Sequence, residues 1–302
     1  MSTKYYNIRG IYGLEKDEDM TKKKIAWVTD STAFITEELR NHPDVYVVPL
    51  SIIFGEDAFE DGITLTTDEL YTRIKAEKNI PKTSQPPVGV FASLFEKLKE
   101  EYECAIAVHV SSKLSGTYAT SKAGAEMAGL DTYMVDSKSM SYAITSLMYK
   151  GMAYADEEMD PQTIAEKLNV ETAKSQNLVL LGSLEQFYKG GRMSGTSYLL
   201  GTILQVKPII CVNSNGEFEL CEKVRSEKKA LKRVIDIVRE KYEMHHIPEI
   251  RIMHGNVLEK AQSLQQILEQ EFPNVKFVIG EISSTIAVHA GEGTLALIWE
   301  NE

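Results

Sequence analysis

The chain has 302 residues, with 33 Lys and Arg against 44 Asp and Glu, a formal charge of −11. Hydrophobic residues make up 43% and charged residues 25%, too apolar for a disordered chain and enough for two domains or one large one. The acidic balance argues against holding a nucleic-acid backbone by bulk charge, and no run approaches the roughly 20 apolar residues of a bilayer span, so neither nucleic-acid binding nor stable membrane insertion is expected.

Residues 1–23 mix Tyr5, Tyr6, Arg9 and Gly10 with the acidic run Glu15, Asp17, Glu18 and Asp19. They lack the apolar core of a secretory signal and read as a flexible amino-terminal extension. From residue 24 short apolar runs alternate with helical patterns. Strands are expected at 25–29, 45–48, 104–108 and 132–135, with helices at 88–98 and 115–128. This pattern predicts a parallel sheet covered by helices over 24–160. The polar break Asp156, Glu157, Glu158, Asp160 and Pro161 opens a second region, 161–302. There, helical stretches at 161–173 and 227–242 mix with strands at 178–181, 208–212, 218–224, 250–253, 275–280 and 295–299. Asn213-Ser214-Asn215-Gly216 is a polar turn that suits a β-hairpin. The expectation is an α/β protein of two domains, a parallel sheet first and a mixed sheet second. Cys104, Cys211 and Cys221 are odd in number and form no CxxC, which argues against a disulfide framework or a thiolate metal site and fits a reduced, cytoplasmic location.

In a parallel α/β unit ligands sit beyond the carboxyl ends of the strands. Hydroxyl-rich segments gather at such places. Thr29-Asp30-Ser31-Thr32 follows the first strand, and His109-Val110-Ser111-Ser112 and Leu114-Ser115-Gly116-Thr117-Tyr118 follow the third. Asp136-Ser137 follows the fourth, and Lys82-Thr83-Ser84-Gln85-Pro86 opens a helix. Singly these read as helix caps. Together, hydroxyls and free helix amides suit an anion such as a carboxylate or phosphate. Asp30 and Asp136 are of a type that binds Mg²⁺ or does acid–base work, but each fits better as a cap or loop clamp.

Gly190-Gly191-Arg192 allows a tight backbone beside a charged fork, without the Lys-Ser or Lys-Thr of a phosphate loop. His289 stands just before Gly291 and Gly293, where it can reach a cleft. The six histidines show no zinc spacing, and no metal is expected. Ser115 with His289 and either Asp30 or Asp136 spells out a hydrolase triad, an alternative that no GxSxG elbow supports.

Taken in order, Val28 to Ala33, Lys82 to Pro86, His109 to Tyr118, Val135 to Ser137, Gly190 to Arg192, Leu200 to Leu204 with Lys207-Pro208, and His289 to Thr294 resemble the blocks of the DegV family of bacterial fatty-acid-binding proteins. The resemblance implies a two-domain DegV-like fold that buries one long-chain fatty acid and has no catalysis or cofactor of its own. By motif match, Thr83 and Ser115 would hold the carboxylate with His289 nearby, Ser84 and Gly116 beside them, and Arg192 as the cationic or partner-facing group. Asp30, Ser31, Ser112, Asp136 and Ser137 would support them, and Leu199, Leu200, Ile203 and Leu204 are the candidates for the tunnel wall. Some family members present the acid to a fatty acid kinase catalytic subunit for phospholipid synthesis; a lipid-sensing regulatory role is the further alternative. Where the family pattern has Gly-Pro-Gly, this chain has Gly291-Glu292-Gly293. An inward Glu292 would disfavour a carboxylate, so an outward side chain is expected. Pro87 stands where the family often has Ser.

Overall fold

A computed structural model describes residues 23–77, 79–192 and 207–302. The amino-terminal half runs β1 (Lys23–Asp30), α1 (Glu37–Asn41), β2 (Val45–Val48), β3 (Ser51–Phe54), β4 (Asp57–Glu60), α2 (Thr67–Glu77), β5 (Lys82–Ser84), α3 (Val88–Glu101), β6 (Tyr102–His109), α4 (Thr117–Ala128), β7 (Thr132–Asp136) and α5 (Tyr142–Asp156). Then come α6 (Pro161–Glu171), β8 (Ser175–Leu180), α7 (Leu184–Lys189), β9 (Lys207–Val212), β10 (Phe218–Val224), α8 (Glu227–Met244), β11 (Glu249–His254), α9 (Leu258–Glu271), β12 (Lys276–Glu281), α10 (Ser284–Ala290) and β13 (Leu295–Glu300).

Along β1 the side chains alternate. Ile25 and Trp27 enter one apolar core, Ala26 and Val28 another, as the two-residue period of a strand requires. The strands pair in the order β2-β1-β6-β7, all parallel. On one face Phe91, Leu94, Phe95 and Leu98 of α3 pack over small strand residues, Ala26, Ala105 and Ala107. On the other lie Leu39 of α1, Ile144, Leu147 and Met148 of α5, and Ile164, Ala165 and Leu168 of α6. Helix α6, which starts where the sequence breaks, thus packs its apolar side on the amino-terminal sheet.

The carboxyl-terminal sheet has the order β10-β9-β8-β13-β11-β12. Only β11 and β12 run parallel; the other neighbours are antiparallel, so the sheet is mixed. Val234 and Val238 of α8 and Ala261, Leu264 and Leu268 of α9 cover one face. The opposite face joins Leu181, Ile210, Met253, Ala296 and Ile298 to Ile52, Leu70 and Ala143 from the first half, a core shared by both.

Two features depart from the sequence reading. A small antiparallel sheet, β4-β3-β5, lies between the expected elements. Its strands are three or four residues long, too short to show a period. The cysteine reading is corrected too: Cys211 and Cys221 form a disulfide with Cα atoms 5.8 Å apart. The count of cysteines carries no strand register. The hairpin folds β10 back on β9, and Cys221 falls at the register shift between Leu220 and Glu222. This pairing removes the cysteine argument for a reducing compartment. Among the described residues no helix is long and apolar enough to cross a membrane.

Candidate ligand-binding site

The parallel sheet puts its carboxyl-end turns against the face of the mixed sheet that α8 and α9 leave uncovered. Between them lies a cavity with about 910 Å³ not filled by protein atoms, a figure that takes in space open to solvent. The first half supplies Thr32, Leu50, Val110, Leu114, Ser115 and Met140; the second supplies Val179, Leu181, Phe187, Phe218, Met253, Ala296 and Ile298. Asn177, Val179 and Leu181 line it at every second position of one strand and its end, which spans roughly 13 Å. Most of the wall is aliphatic or aromatic.

Polar groups converge at one place. The Thr83 hydroxyl lies 2.8 Å from Nε2 of His289, joining β5 to α10. The Ser115 hydroxyl lies 2.9 Å from that of Thr117 and accepts the Thr117 amide at 3.3 Å, which shapes the turn into α4. Arg192 donates from Nη1 to the Gly190 carbonyl at 2.5 Å and from Nε to the Leu114 carbonyl at 3.4 Å. It is the one Arg, Lys, Asp or Glu among the described lining residues, and no described carboxylate pairs with it. Burial lowers its pKa.

His289 is held neutral. Burial, and then the Arg192 charge, push its pKa down to about 4. Its Nδ1 is buried with no hydrogen-bond partner among the described residues. The Nδ1 edge of the ring lies against Gly190, where any Cβ would collide with it. Glu292 is turned away, ion-paired with Lys75 at 2.8 Å and accepting from Asn256 at 2.7 Å. The turn that carries it packs its backbone on Gly182, where a Cβ would strike the Glu292 carbonyl. Thr294 Oγ1 accepts the Gly182 amide at 3.0 Å and ties the turn down.

The other sequence candidates sit around this centre. Ser84 faces away from Thr83 along the strand, donates to the Gln85 carbonyl at 3.3 Å, and does not line the cavity. Gly116 lies against the Gln85 side chain. Ser31 donates to Asp61 at 2.9 Å and accepts the Leu50 amide at 3.0 Å. Ser112 donates to Asp136 at 2.5 Å, and Asp136 also accepts the Lys138 amide at 3.1 Å. Ser137 is buried and donates to the Ser139 carbonyl at 3.1 Å. Leu199, Leu200, Ile203 and Leu204 fall outside the described residues. Sequence reasoning missed Gln85, Met140, Asn177, Phe218 and Thr285, all in the wall. Thr285 carries a buried hydroxyl with no partner among the described residues.

The Ser115–His289–Asp triad does not form. His289 bonds Thr83, not Ser115, and Asp30 and Asp136 are engaged elsewhere. A different Ser–His–Asp string exists. His109 Nδ1 lies 3.0 Å from Asp30 and its Nε2 lies 2.8 Å from Ser121. All three residues are fully buried. Asp30 also accepts the Val110 amide at 3.0 Å and the Thr32 amide at 3.0 Å. Although desolvation opposes it, the bonds from His109, Thr32 and Val110 leave the Asp30 pKa lowered. No substrate reaches this string, and it serves to pin the turns after β1 and β6. Among the described residues no group of His, Cys, Asp or Glu could hold a metal ion.

The model of a family described as uncharacterised protein, DegV family, matches residues 24–302. The chain belongs to the DegV family. A DegV domain-containing protein of Listeria innocua is 35% identical over 281 residues, 92% of this chain and 98% of its own. Protein DegV of Bacillus subtilis is 30% identical over 277 residues, 91% of this chain and 98% of its own. Among solved structures, a fatty acid binding DegV family protein of Streptococcus agalactiae matches with a TM-score of 0.86 at 31% identity, over 92% of this chain and 99% of that one. DegV of Bacillus subtilis, described as a fatty acid binding protein, matches at 0.83 and 29%, over 92% and 99%. The DegV fold, two α/β domains with a parallel sheet first and a mixed sheet second, is therefore the fold that the resemblance implied.

Proposed function

We propose that this DegV-family protein binds one long-chain fatty acid in the cavity between its sheets, without catalysis of its own, and presents the acid to an acyl kinase. The observation that carries the reading is the cavity itself: apolar over most of its wall, with Arg192 the one charged group among its described lining residues and Thr83, Ser115 and His289 around it. Each buried methylene contributes about 0.8 kcal/mol, so about fifteen give roughly 12 kcal/mol gross before ordering costs. The head group then needs only placement. The fatty-acid carboxylate accepts from the Thr83 and Ser115 hydroxyls, neutral His289 donates from Nε2 to Thr83 and so orients it, and the carboxylate supplies Arg192 with a negative charge that no described residue gives it. Ser84 and Gly116 shape the two turns. Within this reading the two sheets are the two walls of the site, and α6, just past the break at residue 160, goes with the first of them.

Related proteins support the ligand class, since the Streptococcus agalactiae and Bacillus subtilis structures are both described as fatty acid binding. The kinase step is the finer part of the proposal, and it would place the protein in the cytoplasm. Fold likeness accompanies it: the Streptococcus pneumoniae fatty acid kinase B3 protein, loaded with linoleic acid, matches with a TM-score of 0.78 at 21% identity, over 93% of this chain and 100% of that one. Native purification followed by denaturing extraction and mass spectrometry tests the ligand. A fatty acid near one per chain is expected. Lipid-free preparations that also refuse added acids would refute the reading. For the kinase step, ATP-dependent acyl-phosphate formation should require both the loaded chain and a kinase subunit.

A further inference from the structure

The cavity stops one side chain short of a second hollow. An open cleft with about 1,410 Å³ free of protein atoms lies behind it, and its wall includes Phe34, Ile35, Val45, Val47, Pro49 and Ile63. Ile282 is the one residue, among those described, that lines both spaces. The partition is a single chain thick. Thr32 faces the cavity while Ser31 and Ala33 face the cleft; Leu50 faces the cavity and Pro49 the cleft; Thr285 faces the cavity and Ser284 the cleft.

Most of this partition is tied by hydrogen bonds. The Asp61 carboxylate accepts from the Ser31 hydroxyl at 2.9 Å and from the Ser284 and Thr285 amides at 3.1 and 3.2 Å. Ser31 in turn accepts the Leu50 amide at 3.0 Å. Between these fixed points the seal is completed by Ile282, whose side chain is 3% exposed and held by apolar packing. Chain frame and plug are thus separate: hydrogen bonds fix the first, and one aliphatic side chain makes the second.

We propose that Ile282 is the residue that bounds the length of acyl chain this protein accepts, and that the cleft behind it is the path a longer chain takes once the plug is shortened. The occupant is the methyl end of a very-long-chain fatty acid, because the cleft lies directly across Ile282 from the cavity and, although Arg40, Asp61 and Glu281 also border it, its wall offers Phe34, Ile35, Val45, Val47, Pro49 and Ile63. This inference rests on the fatty-acid reading above. It adds a determinant of which acids are taken.

The test measures binding of hexadecanoic and docosanoic acids, by displacement of a fluorescent fatty acid, to wild type, Ile282→Ala, Ile282→Val and the double variant Ile282→Ala/Val47→Phe. Wild type should favour the shorter acid. Ile282→Ala should shift the ratio of affinities toward docosanoic acid by about tenfold, the gain from two additional buried methylenes. Ile282→Val should shift it less in the same direction, which keeps the inference testable if the alanine variant does not fold. Val47→Phe adds bulk to the cleft wall and should reverse part of that shift. An unchanged ratio in the folded single variants, or no reversal in the double variant, overturns the role of Ile282. Wild type that binds neither acid overturns the fatty-acid reading itself, and this inference with it.

Discussion

His289 carries the sharpest prediction at the scale of one residue. Its pKa in the folded chain is about 4, below the ordinary value of 6.5. Between these values the unfolded chain binds a proton that the folded chain does not, so stability rises with pH across that window. The contribution is fully present above pH 6.5, falls as pH drops, and is gone below pH 4. Its size is on the order of 3 kcal/mol. Urea denaturation from pH 4 to 7 should show this slope in the ligand-free protein, and His289→Gln should flatten it. At the same centre, Thr83→Val and Ser115→Ala should each remove one of the proposed bonds to a charged head group, worth about 1.5–3 kcal/mol. Fatty-acid binding should weaken by roughly 10- to 100-fold in each, as read by displacement of a fluorescent acid; unchanged affinity in either would remove that residue from the site. Thr83, Ser115 and His289 were legible because hydroxyls and a histidine stand at strand and helix ends, where apolar packing does not explain them. Asn177, Phe218 and Thr285 were not, since wall and core residues have the same chemistry in a linear sequence.

Elements bring in close approaches that no periodicity announces. Gly182 stands two residues past the end of β8, and the Gly291–Gly293 turn rests on it. Gly182→Ala sets a methyl group against the Glu292 carbonyl, so the turn must shift. A loss of about 1–3 kcal/mol is expected, with weaker ligand retention because α10 carries His289 into that turn. Thermal denaturation and lipid extraction check both effects. The β9–β10 hairpin offers another test. Its disulfide closes a short loop, for which about 2 kcal/mol is expected. Cys221→Ser should lose that amount in urea denaturation, and a reductant should lower wild type but leave the variant unchanged. The hairpin turn itself was legible from Asn213 and Gly216: the Asn213 side chain accepts the amides of Asn215 and Glu217 at 3.0 and 3.1 Å. The bond between the cysteines was not, because it depends on the bulge at Cys221.

Across the whole molecule the parallel sheet was readable from its alternating strands and helices, and the mixed sheet from its strands. The small β4-β3-β5 sheet was not, yet it supplies Thr83 through the pairing of β5 with β3. Much of the core is shared, since α10 and the mixed sheet pack against Ile52, Leu70 and Ala143. Ligand should therefore stabilise the entire chain. At a free concentration of 100 times its Kd a fatty acid adds about 2.7 kcal/mol, and calorimetry should show delipidated protein melting several degrees below the loaded form.

The Ser111 hydroxyl, on the turn after β6, donates to the carbonyl of Gly216 at the tip of the β9–β10 hairpin, 2.7 Å away and buried. Phe218, two residues on, roofs the cavity against Phe187 with ring centres 5.1 Å apart. This clasp fastens one wall to the other, so the pairing of the two walls around the cavity leans on a single buried hydroxyl that does not itself line the space between them.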